Sequence, residues 1–137
     1  MKAADFALCM VLGCMILAAP AWAQTPNLSG EWEAPFTVGT DTPQPLQVED
    51  VRIQQSGNAI EATKITGDQY VPAGTVDLRG TFTSSPFAAQ QRCYDPGFKM
   101  LFWDDVTVTI LDKDHFKVEG GCSGDVTWKR KGGVPIS

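Results

Sequence analysis

The sequence predicts an all-β protein, an eight-stranded antiparallel up-and-down barrel with one disulfide. Three observations predict it. Apolar and polar residues alternate strictly in segment after segment, with no helical period between them. Turn-forming clusters separate those segments at short intervals. Two cysteines are left once the leading segment is set aside, and two cysteines in an exported domain pair.

The leading segment comes first in the chain. Lys2 precedes an apolar run from Phe6 to Ala19, and Ala21-Trp22-Ala23 places small residues where a signal peptidase reads them. Residues 1–23 are therefore expected to be a secretory signal peptide cut after Ala23, with 24–137 as the barrel domain and a periplasmic or secreted destination. The apolar run is shorter than the ~20 residues a membrane span needs, so no membrane span is expected. Val11-Leu12-Gly13-Cys14 also has the look of a lipoprotein processing site. The apolar run nevertheless continues through Met15-Ile16-Leu17, where residues after a lipidated cysteine are polar.

The strands follow in order at 30–35, 46–54, 58–65, 74–83, 87–94, 99–110, 115–120 and 124–131. Leu46 and Val48 fall on one phase and Val51 and Ile53 on the other, so a bulge near Glu49-Asp50 is expected. Ser56-Gly57-Asn58 reads as a tight hairpin leading into Ala59-Ile60-Glu61-Ala62. Val76, Leu78, Gly80 and Phe82 share one face, with Asp77, Arg79 and Thr81 on the other. Asp95-Pro96-Gly97 is a turn, because proline presets φ and glycine accepts a positive φ. Val106, Val108 and Ile110 alternate with threonines; Phe116 and Val118 alternate with His115, Lys117 and Glu119; Val126 and Trp128 alternate with Asp125, Thr127 and Lys129. One-face burial of this kind belongs to antiparallel sheet. Closing the meander into a barrel removes both exposed edges, with a two-sheet sandwich as the alternative.

Charge and cysteine content narrow the function. The net charge is −5, and loss of Lys2 with Asp5 leaves it unchanged, which disfavours nucleic acid and anionic membrane surfaces as partners. Cys9 and Cys14 leave with the signal, so Cys93 and Cys122 are expected to form the disulfide, a link that the chain-entropy treatment values at roughly 3.5 kcal/mol. With one histidine and no Asp-rich calcium loop, no metal site and no cofactor are expected. Asp104 and Asp105 are adjacent and so point to opposite faces of a strand. His115 precedes the inward Phe116 and is expected in solvent, and no nucleophile motif is present, so no enzyme activity is expected.

Gly30-Glu31-Trp32, on the first strand after a short arm, resembles the G-x-W motif that opens the lipocalins and related calycin barrels. The resemblance implies that Trp32 plugs one end of a barrel and that a basic residue of the last strand packs across it. In Thr127-Trp128-Lys129-Arg130 the matching candidate is Arg130. Small bacterial secreted lipocalin-like families end in a similar T-W-x-R. Leu28-Ser29-Gly30-Glu31-Trp32 is also similar to the L-S-G-x-W opening of the periplasmic inhibitors of secreted metalloproteases, whose N-terminal arm enters the protease cleft. In those inhibitors the disulfide lies in the first half of the barrel, whereas Cys93 and Cys122 stand in the second half here.

Two stretches carry the expected function. If Ile60 and Ala62 face inward, Lys64 does too, and Tyr70 follows in a loop at a barrel mouth, where the pair would meet an anionic or polar ligand group. Alternatively Lys64 extends out of the barrel end and Tyr70 packs on the rim. In Tyr94–Trp103, the large apolar residues Phe98, Met100, Leu101, Phe102 and Trp103 exceed what one strand face buries. The expectation is a monomeric, exported, non-enzymatic module that binds a small apolar or amphipathic ligand at the mouth through Lys64, Tyr70, Phe98, Phe102 and Trp103. The alternative is an inhibitor or interaction partner of another exported protein, such as a protease, acting through the Gln24–Ser29 arm or the aromatic stretch.

Overall fold

A computed structural model describes residues 26–37 and 45–132. The expected signal peptide, its cleavage point and Cys14 lie outside the described residues.

Eight strands follow one another: β1 (Gly30–Phe36), β2 (Gln47–Ser56), β3 (Ala59–Lys64), β4 (Val76–Thr81), β5 (Phe87–Asp95), β6 (Met100–Asp112), β7 (His115–Gly121) and β8 (Gly124–Arg130). Each pairs antiparallel with the next, and β8 returns to β1, so the sheet is a closed barrel. Every strand lies where alternation placed it, with ends shifted by one or two residues. The Gly57–Asn58 and Lys113–Asp114 turns close the β2–β3 and β6–β7 hairpins as their residue types require.

The inner face is filled, not hollow. Trp32, Phe116 and Trp128 pack in series, with ring centroids 4.8 Å and 5.1 Å apart. Val51, Ile53, Leu78, Val108 and Val118 complete a core from which water is excluded. Phe82 and Phe87 meet edge to face at 5.2 Å. The barrel is therefore held by side-chain packing across its axis as well as by its ladders.

One end is sealed by the opening motif and the last strand. The Trp32 indole N–H donates to the Leu28 carbonyl at 2.8 Å, and the Arg130 guanidinium lies 4.5 Å from the Trp32 ring centroid. Such stacking contributes roughly 0.5–2 kcal/mol. The same guanidinium donates to the carbonyls of Ser29 at 2.8 Å, Asn27 at 2.9 Å and Lys113 at 3.0 Å, and sits 3.3 Å from Asp114. Gly30 is required twice: its φ is +130°, and a Cβ there would stand 3.1 Å from Arg130 Nη1. Gly-x-Trp and Arg130 thus form one unit, as the resemblance implied. Leu28 is buried beneath this cap, and Gln55 holds the Pro26 carbonyl and the Leu28 amide, so the described part of the arm is packed on its own barrel.

Three expectations are corrected. The β1–β2 register runs unbroken from Gly30↔Ile53 to Phe36↔Gln47, so there is no bulge at Glu49-Asp50. Leu46 and Val48 are exposed instead, and Glu49 takes the inward phase of Val51 and Ile53. The bulge lies between β3 and β4, where Ala62 pairs Leu78 and Thr63 pairs Val76; the extra residue, Asp77, turns inward and is buried. His115 is 4% exposed rather than in solvent. A second register shift, between Ile110 and Asp112, sets His115 opposite Asp112, whose carboxylate meets its Nδ1 at 2.8 Å.

The Cys93–Cys122 disulfide is present and joins β5 to the β7–β8 turn across the barrel end opposite the Trp32 cap. Protein isolated from its host is expected to take up alkylating label at neither cysteine until reduced, as mass measurement will show. Trp32→Ala is expected to lower stability by about 3–5 kcal/mol in urea denaturation, the cost of truncating a fully buried aromatic at the centre of the cap.

Candidate functional site

The end opposite the Trp32 cap is built differently. Here the inward positions of successive strands are Phe36 on β1, Glu49 on β2, Lys64 on β3, Asp77 on β4 and Gln91 and Cys93 on β5. The apolar lining gives way to charge within one residue pair.

The segment 65–75, between β3 and β4, folds over this mouth. Ile65 N–H and Thr66 N–H donate to the Asp50 carbonyl, and Gly74 N–H donates to the Lys64 carbonyl. Asp68 organises the turn through its Oδ1, which accepts the Tyr70 amide at 2.7 Å and the Val71 amide at 2.8 Å. Its other oxygen accepts from the Lys64 ammonium at 3.0 Å. Val71 is buried by the fold of the loop, and the Tyr70 ring stacks on Tyr94 with centroids 4.6 Å apart. Two stretches distant in sequence are thereby brought together.

Lys64 is 3% exposed and makes ion pairs with Glu49 and Asp68, with the Phe36 ring 5.0 Å from its nitrogen. A cavity of about 60 Å³ opens beside it, bounded by Glu49, Asp77, Gln91, Tyr70 and Tyr94, and walled by the Cys93–Cys122 disulfide. That is room for a few waters or a small polar group, far below the ~300–1,000 Å³ of drug-sized pockets.

The electrostatics favour proton retention. Burial, reinforced by the neighbouring Asp77 charge, pushes the Glu49 carboxyl up to about 8 despite its contact with Lys64. Burial raises Asp77 as well. For Lys64, burial acts downward, but the hydrogen bond and charge of Glu49, the hydrogen bond of Asp68 and the charge of Asp77 outweigh it and hold the ammonium above its ordinary value. For Asp68, burial acts upward and is outweighed by the Val71 and Tyr70 amides and Lys64, which lower it.

Of the residues expected at the mouth, Lys64 and Tyr70 are brought together there. Phe98 stands 79% exposed on the β5–β6 turn, and Phe102 is the exposed ladder partner of Cys93, a wall residue of the cavity. Trp103 takes the other face of β6: on the outer wall it stacks with Arg79 at 3.7 Å and Arg92 at 4.1 Å. Sequence reasoning missed Glu49, Asp68, Asp77 and Gln91. Period two from Val51 identifies Glu49, whereas Asp77 depends on a bulge that alternation does not show.

Ionising a carboxyl whose folded-state value is raised is harder in the folded chain than in the unfolded one. Stability from Glu49 is thus full below about 4.5 and is lost as pH rises toward about 8. The melting temperature is expected to be lower at pH 8.5 than at pH 5.5, with a smaller difference in Glu49→Gln; thermal unfolding at the two pH values checks this.

Comparison with known proteins leaves the family open. The chain matches no protein-family model and no solved structure. It is similar to Protein EXECUTER 1, chloroplastic, from Arabidopsis thaliana, at 29% identity over 116 residues, covering 72% of this chain. The similarity spans only 15% of the length of that protein.

Proposed function

We propose that this protein is an exported, non-enzymatic binding module of lipocalin-like descent that holds a small amphipathic molecule at the open mouth of its barrel. One observation carries the reading: a small cavity with buried charge lies directly beside an exposed apolar lip. Cys93 walls the cavity, and its ladder partner Phe102 belongs to the lip with Phe98 and Met100. The packed interior supports the mouth, more than the barrel axis, as the ligand's position. A polar group enters the cavity and an apolar portion lies on Phe98 and Phe102. The joined Trp32–Arg130 cap supports the calycin relationship.

The disulfide supports a compartment outside the cytosol. Disulfides persist outside the reducing cytosol, which fits export of 24–137 behind its leading segment. The relative whose printed name places it in the chloroplast fits an organellar destination equally.

The exposed Phe98, Met100 and Phe102 also favour a second reading, in which the lip docks another exported protein. Native mass spectrometry of protein taken from its own host separates the two: a retained small molecule supports the module, a co-purifying protein the docking surface. Phe98→Ala with Phe102→Ala is expected to weaken ligand binding at least tenfold while moving the melting temperature by no more than about 2 °C, because neither ring belongs to the buried core. Equal loss of binding and fold will refute the assignment of these rings to recognition.

A further inference from the structure

The mouth holds more acceptors than its one ammonium serves. Glu49, Asp68 and Asp77 face the single Lys64, which is already paired with two of them. Gln91 supplies an independent sign. Its side chain is 3% exposed, lines the cavity, and extends past β6 toward β7, so that a Cβ at Gly121 would collide with Oε1. That oxygen has no hydrogen-bond partner. A buried amide oxygen without a donor costs about 1–3 kcal/mol, so a donor entering here is stabilised. An incoming carboxylate or phosphate would face the opposite: an ammonium already paired with two acids, and a third acid beside it.

Resting on the reading of the mouth as an amphiphile site, we propose that the polar group it takes is a primary ammonium. Glu49, Asp77 and Gln91 Oε1 accept its three N–H donors, and its hydrocarbon chain passes Tyr70 and Tyr94 onto the Phe98–Phe102 lip. An ammonium suits the site on three counts. It has three donors and no acceptor. Its compact head fits about 60 Å³. It supplies the positive charge that two buried carboxyls otherwise replace with retained protons. A metal ion is a poorer occupant: Lys64 already stands among these carboxylates, and no metal-holding group of three or more His, Cys, Asp or Glu exists among the described residues.

The charge balance gives the site a pH signature. Glu49 is faced by Lys64 from β3, Asp77 from β4 and Asp68 from the 65–75 segment; β1 presents only the Phe36 ring, and Arg92 of β5 acts on Asp77. An ammonium binds the ionised carboxylates, so binding expels a proton when Glu49 is protonated. Affinity rises with pH up to about 8, by at most roughly tenfold per pH unit for each proton expelled. It levels off until the amine itself deprotonates near ~10.

Three probes with one chain and different heads, octylammonium, octanoate and 1-octanol, test this by titration calorimetry on the disulfide-bonded protein. At pH 8 octylammonium is expected to bind at least tenfold tighter than either of the others, to weaken on going to pH 6, and to release a proton that buffers of different ionisation enthalpy reveal. Glu49→Gln is expected to reduce that preference at least tenfold and flatten the pH dependence. Should that variant fail to fold, Gln91→Leu, which changes no charge, is expected to weaken octylammonium several-fold and leave 1-octanol unaffected. Equal binding of all three probes, preference for octanoate, or unchanged octylammonium affinity in the folded variants overturns the ammonium assignment while the mouth remains a binding site. No binding by any probe overturns both readings.

Discussion

Closure of the sheet is the constraint on which everything else rests, and it hangs on very few rungs. Only Trp32↔Arg130 and Glu33↔Lys129 pair β1 with β8. Side chains and flanking backbone make up the difference. Arg130 gathers three carbonyls and a carboxylate around the Trp32 ring, Lys129 reaches Glu33 at 3.4 Å, and the Lys131 amide donates to Glu31. At the far end of β1, the Thr37 amide and hydroxyl meet the β7–β8 turn. Without that seam β1 and β8 would be two open edges, and the inward row that meets at the mouth would have no opposite wall.

Closure also makes it possible to bury charge where it is useful. The barrel axis is apolar from the Trp32 cap through Trp128 and Val118, so its interior cannot solvate an ion. Placing Lys64, Glu49 and Asp77 at the last inward positions keeps them within reach of one another and of the loop amides fixed by Asp68. Gly121 keeps the space clear on the opposite side, since any side chain there would collide with Gln91 and Val106. The mouth is therefore polar by construction, with its apolar surface displaced to the hairpin beyond it.

The barrel was largely legible in the sequence because the strands largely obey period two and three connectors, at 57–58, 113–114 and 122–123, are two-residue turns. Trp32 with Arg130 was legible through the opening and closing motifs, and Lys64 through its phase with Ile60 and Ala62. The carboxylates were not. Val48 drew the reading of β2 toward the wrong phase, because an exposed valine and a buried glutamate reverse the hydrophobic rule on which alternation depends. Asp77 was hidden because a bulge inverts the phase of one residue while leaving its neighbours in place. His115 was hidden in the same way by the shift beside Leu111. Trp103 could be placed only after the face of β6 was known, since the crowded aromatic stretch shows no phase of its own.

The seam between first and last strands has a consequence in time. Seven of the eight strand pairings join neighbours along the chain through short turns or the longer segments 37–46 and 65–75, whereas β1 and β8 are roughly a hundred residues apart. The entropy of bringing such distant partners together must be met before their two rungs return anything. Contact order therefore favours a path in which the meander assembles before the cylinder closes, with the Trp32 cap as its latch. On the reverse path the covalent link between β5 and the β7–β8 turn would hold the second half together while the seam is apart.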